Sequence, residues 1–214
     1  MKKSLIVILC AFVSTGLFAQ PAAQENQPEG YKFTTVKELA ATPVKDQSRS
    51  GTCWSFSGVG FLESELLRMG KGEYDPSDMW IVRYTYFNKV VKYVRMHGKI
   101  ELSAGGATHD VFDVMREYGI VPAEVYGGLN YGTTNHNHAE LDEVLLAFGK
   151  AVVANKGKML TTAWQEALNG ILDAYFGPVP QTFPYQGRQH NTMSFYQSLG
   201  LNGDDYVSIT PFPH

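Results

Sequence analysis

Six segments with helical spacing of apolar residues constrain the fold of this chain more than any other feature. In the first, Val59, Leu62 and Leu66 recur on one helix face, Met69 continues it, and Gly70 follows as a stop signal. The predicted helices cover residues 53–69, 76–97, 107–118, 141–156, 162–176 and 192–199. The best strand signal, Tyr206 to Ile209, comes almost at the end of the chain. The pattern therefore predicts a mainly helical chain with a small β component.

The second helix is the longest and the richest in aromatic residues. Asp75 and Pro76 precede it, and we interpret them as its N-cap and its first residue. Its predicted buried stripe consists of Trp80, Tyr84, Phe87, Val91 and Val94. Farther along the chain, residues 126–137 are rich in Gly and Asn and predict a loop that separates two helical parts.

Composition and charge exclude one class of function. The 214 residues are 44% apolar and 13% aromatic, which is enough to build a hydrophobic core. The formal net charge is −3, and the lysines and arginines are scattered without a basic run. Nucleic-acid binding therefore has no electrostatic footprint in this chain.

The N-terminus has the layout of a secretory signal peptide. A basic start at residues 1–3 precedes an apolar run over residues 5–18, and Ala19-Gln20 is a plausible cleavage point. We predict a signal peptide over residues 1–19, an exported protein (periplasmic or secreted) with no membrane association after cleavage, and a flexible mature N-terminus over residues 20–34. A membrane anchor is the alternative, which the shortness of the run disfavours.

The cysteine count points to one residue. Only Cys10 and Cys53 are present, and Cys10 belongs to the predicted signal peptide, so the mature chain cannot form an internal disulfide. Cys53 comes at the start of the first helix, where unpaired backbone N–H groups and the helix dipole stabilise a thiolate. Gln47, six residues earlier, is placed to donate a hydrogen bond to an oxyanion beside Cys53. The alternative is a buried structural thiol.

The stretch PVKDQSRSGTCWSFS, residues 43–57, resembles the active-site segment of the papain-like cysteine peptidases. Ser50 stands where that family's signature has a disulfide-forming cysteine. This departure resembles the bleomycin hydrolase and aminopeptidase C branch, which lacks that disulfide and has extra helices. Residues 103–122 resemble the family's double-glycine segment, and residues 183–210 also look like this branch.

The resemblance implies an α+β papain-like fold, represented mainly by its helical half with a helical insertion, while the β-rich half is largely missing. It implies a nucleophile-bearing part over residues 35–125, followed by the insertion and the start of the β-rich part over residues 126–214. It also implies peptide substrates, no metal and no cofactor, and raises the expectation of a homo-oligomer for a full-length form. By resemblance the site residues are Cys53 and Gln47 as catalytic groups, and Trp54, Gly105 and Gly106 as substrate-binding groups.

A papain-like mechanism needs a histidine base and an orienting Asn or Asp, and no residue here fits them. His190 has the right distance in sequence from Cys53, but it lies on a polar segment that predicts a helix cap or a surface position. His136 and His138 are spaced i, i+2 in a loop without the ligands of an ordered metal site. His97, His109 and His214 offer no better candidate. We therefore expect the base and its partner beyond residue 214; the alternative is an inactive helical binding module or truncated pseudoenzyme.

Overall fold

The computed structural model describes residues 30–157, 159–207 and 209. The chain divides into two compact units, Met1–Glu38 and Leu39–His214. In the first unit, residues 30–38 are exposed and form neither helix nor strand. The predicted signal peptide, residues 20–29 and His214 lie outside the described residues.

Over its described residues, the second unit contains six α-helices, one short hairpin and a single 3-10 turn, Gly203–Asp205. The helices are α1 (Cys53–Arg68), α2 (Asp78–Arg95), α3 (Thr108–Tyr118), α4 (Ala139–Val153), α5 (Ala163–Phe176) and α6 (Thr192–Leu199). Strands β1 (Phe183–Tyr185) and β2 (Arg188–His190) pair antiparallel between α5 and α6. All six predicted helices are present. Within the described ranges, no helix combines the length and apolar character needed to cross a membrane.

The strand prediction was wrong. Tyr206, Val207 and Ile209 belong to no strand, and Ser208 lies outside the described residues. The Tyr206 ring instead stacks on Phe112 of α3, with ring centroids 4.8 Å apart and an interplanar angle of 7°. The β1–β2 hairpin was missed because its strands have three residues each. Its turn uses Gln186 and Gly187, both at positive φ (46° and 76°), and lacks the usual Asn-Gly signal.

Helix α2 lies at the centre of the unit and is buried on almost every side, whereas the sequence predicted one buried stripe. Of that stripe, Trp80, Val91 and Val94 are buried, while Tyr84 and Phe87 are only partly buried. Residues from other faces of the helix are buried as well, among them Ile81, Val82, Tyr86 and Val90. Helices α1, α3, α4 and α5 all pack against it. Because these helices cover more than one face of α2, residues outside the predicted stripe are buried too.

The start of α2 also differs from the prediction. Ser77, not Asp75, is the N-cap, and its Oγ accepts a hydrogen bond from the backbone N–H of Trp80 at 3.0 Å. Ser77 Oγ also donates to the carbonyl of Tyr126 at 2.6 Å. Asp75 instead pairs with Lys45. The buried serine can serve both partners at once, and the exposed carboxylate of Asp75 remains outside the helix.

Candidate active site

Cys53 is the first residue of α1, and its side chain is exposed. The N-cap, Thr52, is completely buried, so the helix start is fixed in the protein while the thiol points to solvent. Backbone N–H groups in the first turn of a helix have no acceptor within that helix and can stabilise an anion. An exposed thiol at this position does not fit the alternative of a buried structural cysteine.

The loop that carries Gln47 is folded tightly against the start of α1. Ser50, which is buried, donates from Oγ to the carbonyl of Gln47 at 2.9 Å and from its backbone N–H to the same carbonyl at 3.3 Å. Its hydroxyl also bonds to the hydroxyl of Thr52. Ser50 stands where the papain-like signature has a disulfide-forming cysteine. Here its hydroxyl, and not a covalent bond, connects the loop to the start of the helix.

The side chain of Gln47 lies partly buried in this loop. Its Oε1 atom is buried and has no hydrogen-bond partner among the described residues. The backbone carbonyl of Gln47 is held by Ser50, so the main chain at this position is fixed while the side-chain amide is not committed. An uncommitted amide near a helix start is suited to donate to an oxyanion.

A strap formed by residues 136–138 holds the other side of the same loop. The backbone N–H of Arg49 donates to the carbonyl of His136 at 3.0 Å, and the N–H of His138 donates to the carbonyl of Arg49 at 3.2 Å. Arg49 and Asn137 form a parallel bridge through this pairing. His138 is buried, and its Nδ1 lies 3.3 Å from the hydroxyl of Tyr86 on α2. The loop is therefore anchored to the core through a histidine.

The chain entering the loop is fixed by a cluster of charges around Lys45. Its Nζ lies 2.5 Å from Glu63, 2.5 Å from Asp75 and 3.2 Å from Asp78. Burial acts to lower the pKa of Lys45, but Asp78 and the other carboxylates outweigh it and raise that pKa. Burial raises the pKa of Asp78 to about 6, while Lys45 acts in the opposite direction. Because Lys45 lies two residues before Gln47, the cluster fixes the chain just before the Gln47 loop.

Trp54 and the two predicted glycines lie together. The indole Nε1 of Trp54 donates to the carbonyl of Ala104 at 3.0 Å. A Cβ atom at Gly106 would lie 2.5 Å from the indole ring, so only glycine allows this approach. Gly51, at φ +68°, brings the loop before Cys53 close to the side chain of Ala104. The structure thus brings residues 103–106 next to the start of α1.

The backbone of Gly105 and Gly106 is exposed. Among the residues that the structure describes, no group forms a hydrogen bond with the peptide N–H or C=O of either glycine. A short exposed segment with unpaired N–H and C=O groups is suited to pair with an extended peptide. This free edge begins directly after the carbonyl that Trp54 holds.

The described histidines do not supply a base. His97 and His109 lie on the surface, and His136 and His138 belong to the strap. His190 is the half-buried last residue of β2, so the first of its two predicted positions, helix cap or surface, is excluded. The cap of α6 is Asn191, whose side chain accepts from the N–H of Ser194 at 2.8 Å. No hydrogen bond between Cys53 and a histidine occurs within residues 30–157, 159–207 and 209.

One group of side chains has the spacing of metal ligands. His109, Asp110 and Asp113 offer ligand atoms that all lie within 4.8 Å of one another. Asp110 already accepts from the backbone N–H of Ala107 at 2.8 Å, and Asp113 pairs with Arg116. Their helix-capping and ion-pair contacts account for these carboxylates without a metal ion.

Comparison with known proteins places the chain in a family. Residues 28–198 match the sequence model of the papain family cysteine proteases. The chain belongs to this family. Its helix-rich unit with one two-stranded sheet agrees with the mainly helical half of a papain-like domain, as the resemblance implied. The exposed Cys53 at the start of α1 lies within the matched region.

Individual papain-family relatives match shorter stretches. Cysteine proteinase 1, mitochondrial, of Saccharomyces cerevisiae is 26% identical over 122 residues, which is 48% of this chain and 25% of the relative. Cathepsin K of Gallus gallus is 46% identical over 48 residues, 22% of this chain and 12% of the relative. A cathepsin L-like peptidase of Aedes aegypti is 55% identical over 38 residues, 16% and 11% respectively. The chain thus covers a quarter or less of these curated relatives.

Sequence reasoning missed the roles of three residues around this site. Ser50 holds the carbonyl of Gln47, His138 pairs with the backbone of Arg49, and Lys89 of α2 donates from Nζ to the carbonyl of Ser103 at 2.9 Å. All three contacts are made to backbone groups or by them, which no side-chain motif reveals. The one signal for Lys89 is a lysine between the aromatic Phe87 and the buried Val90 of α2. The signal for His138 is a histidine directly before the helix-forming stretch of α4.

Proposed function

We propose that this chain carries the nucleophile side of the active site of a cysteine aminopeptidase of the bleomycin hydrolase and aminopeptidase C type. The observation that carries the proposal is the exposed thiol of Cys53 at the start of α1, beside the Gln47 loop and the unpaired edge at Gly105 and Gly106. Membership in the papain family supports hydrolysis through a thiol. The substrates proposed are peptides, without a metal or cofactor.

In this mechanism the thiolate of Cys53 attacks the scissile carbonyl carbon. The backbone N–H of Cys53 and the amide of Gln47 donate to the resulting oxyanion. As the C–N bond breaks, the amine product leaves with a proton from a histidine, and an acyl thioester remains on Cys53. Water then attacks the thioester, releases the carboxylate product and restores the thiol. We propose that this histidine and its orienting Asn lie outside the 214 residues.

A preference for peptides with a free N-terminus and the export of the protein are the finer parts of the proposal. The first is supported by Ser50 in place of a disulfide cysteine and by the match to cysteine proteinase 1 of yeast. The second is supported by the signal-like residues 1–19. A peptide with a free N-terminus should be cleaved faster than the same peptide with an acetylated N-terminus.

The nucleophile is tested by alkylation of the full-length protein with iodoacetamide at mildly acidic pH, followed by mass spectrometry of the Cys53 peptide. We expect rapid modification of Cys53 and a parallel loss of peptide hydrolysis. A thiolate–imidazolium pair reacts at pH values at which a free thiol is still protonated. Cys53→Ala should abolish hydrolysis. Modification that occurs only at alkaline pH, with hydrolysis unchanged in Cys53→Ala, would contradict the proposal and favour a binding module.

The oxyanion role of Gln47 has a separate test. Gln47→Ala should lower kcat about 100-fold or more, because loss of one oxyanion donor weakens the transition state and leaves the nucleophile in place. Ser48→Ala, at the next residue of the same loop, is the matched control and should leave kcat within about twofold. Equal effects of the two variants would show that the loop, and not the Gln47 amide, is responsible.

A further inference from the structure

Two successive carbonyl groups before Gly105 are held by side chains from two different helices. Trp54 of α1 donates from its indole Nε1 to the carbonyl of Ala104 at 3.0 Å. Lys89 of α2 donates from Nζ to the carbonyl of Ser103 at 2.9 Å. The segment is therefore tied both to the central helix α2 and to α1, which packs against it. The unpaired glycine edge begins at the next residue.

Lys89 is partly buried in a defined environment. A small cavity of about 10 Å³, room for roughly one water molecule, is lined by Lys89, Ser103, Asp142, Tyr86, Leu102 and Leu145. Burial lowers the pKa of Lys89, while the charges of Asp110, Asp142 and Glu101 act in the opposite direction. Burial raises the pKa of Asp142 to about 6, and Lys89 opposes that shift.

A lysine on an exposed helix face samples many rotamers, which weakens any single contact. Lys89 is only partly exposed, it lines the small cavity together with Ser103, and its head group donates to the carbonyl of Ser103. Without this donor, the carbonyl of Ser103 would lose its charged partner. Among the described residues, Trp54 would then be the only side chain that donates to the carbonyls of residues 103 and 104. The backbone of Gly105 and Gly106 would then be held less firmly in one orientation.

We propose that Lys89 is a positioning residue that fixes the edge at Gly105 and Gly106 for pairing with an extended peptide. The inference rests on the proposed function, because it assigns a substrate to that edge. Lys89 touches neither the substrate nor Cys53 in this role. It acts through the backbone of Ser103, and only ligands long enough to pair along the glycine edge depend on it.

The test compares two thiol reagents on the full-length protein. Iodoacetamide reaches Cys53 without using the glycine edge, whereas a tripeptidyl chloromethyl ketone with a free N-terminus must align along it. The variants are Lys89→Met, which keeps the stem and removes the donors, and Lys89→Arg, which keeps a charged donor. Lys92→Met is the control, because Lys92 lies on the same helix and is exposed. Mass spectrometry of the Cys53 peptide gives each rate.

We expect Lys89→Met to slow the peptidyl reagent about fivefold to tenfold, the loss produced by one hydrogen bond, and to leave the iodoacetamide rate within about twofold. Lys89→Arg should recover most of the loss, and Lys92→Met should change neither rate. The protection of the Trp54 indole N–H from hydrogen exchange should also fall in Lys89→Met, since the bonded Ala104 carbonyl is less fixed.

Three outcomes count against the proposal in different ways. If wild-type protein shows no preference for the peptidyl reagent over iodoacetamide, the proposed function itself is contradicted. If the preference is present and survives in Lys89→Met, only the role of Lys89 is contradicted. If both rates fall together and Lys89→Arg does not restore them, Lys89 supports the fold as a whole and does not position the edge.

Discussion

Two neighbouring glycines in this protein differ in what surrounds them, although both are exposed and neither has a positive φ. A Cβ atom at Gly106 would lie 2.5 Å from the ring of Trp54. A Cβ atom at Gly105 would meet only the hydroxyl oxygen of Ser103, 4.0 Å away. The requirement for glycine at position 106 is therefore steric, because a side chain there would collide with Trp54.

This difference gives a matched pair of variants. Gly106→Ala should lower the free energy of unfolding by about 1–3 kcal/mol, because the new methyl group forces the indole or the segment to move. It should also change the Trp54 fluorescence. Gly105→Ala should change stability by less than about 0.5 kcal/mol. Urea unfolding of both variants measures the difference, and equal losses would contradict this packing.

At the scale of single elements, the start of α2 shows how one side chain serves two partners. Ser77 caps the helix through Trp80 and also donates to the carbonyl of Tyr126, in the loop after α3. Asn191 caps α6 in a similar way but is exposed and bonds only within its own turn. The first cap connects two parts of the chain, and the second is local.

We expect Ser77→Ala to lower the free energy of unfolding by about 2–3 kcal/mol. About 1 kcal/mol comes from the lost cap, and the rest from the buried carbonyl of Tyr126, which loses its donor. Asn191→Ala should cost about 1 kcal/mol, since only a cap is lost. Chemical denaturation of the two variants is the measurement. A loss in Asn191→Ala as large as that in Ser77→Ala would contradict the dual role of Ser77.

At the scale of the whole molecule, stability should depend on the protonation of one buried histidine. Burial, and secondarily the charge of His136, lowers the pKa of His138 to about 4. Its ring lies 5.4 Å from the ring of Phe176 at the end of α5, so it connects the strap to the core. The folded state binds fewer protons than the unfolded state between pH 4 and about pH 6.5. Stability from this group is complete above that range and falls as the pH drops through it.

The predicted effect is a loss of roughly 3 kcal/mol from His138 between pH 6.5 and pH 4. His138→Asn should be less stable than wild type at pH 7, because ring contacts are lost, but this part of the acid-induced decline should be absent. The buried Asp78, whose pKa is raised, gives an opposite slope in both proteins, so the difference between them is the informative quantity. His109→Asn, at an exposed histidine, is the control. Parallel stability curves for His138→Asn and wild type would contradict the prediction.

Local sequence determined the six helices and the position of the nucleophile. Apolar spacing and glycine stops are short-range properties, so helices such as Cys53–Arg68 and Ala163–Phe176 could be read within one or two residues. The interval from Gln47 to Cys53 is equally local, and it carried the resemblance to the papain family. A family motif defined by residue types and their spacing can be recognised in the sequence before the fold is known.

Only the tertiary structure decided which groups hold those residues in place. Lys89 and Ser103 are separated by 14 residues, and Arg49 meets His136 and His138 from a segment nearly 90 residues away. Ser77, and not the predicted Asp75, caps α2, and its hydroxyl also reaches the carbonyl of Tyr126. Tyr206 stacked on Phe112 and formed no strand. Each of these depends on long-range packing and backbone hydrogen bonds, which the composition of one segment cannot specify.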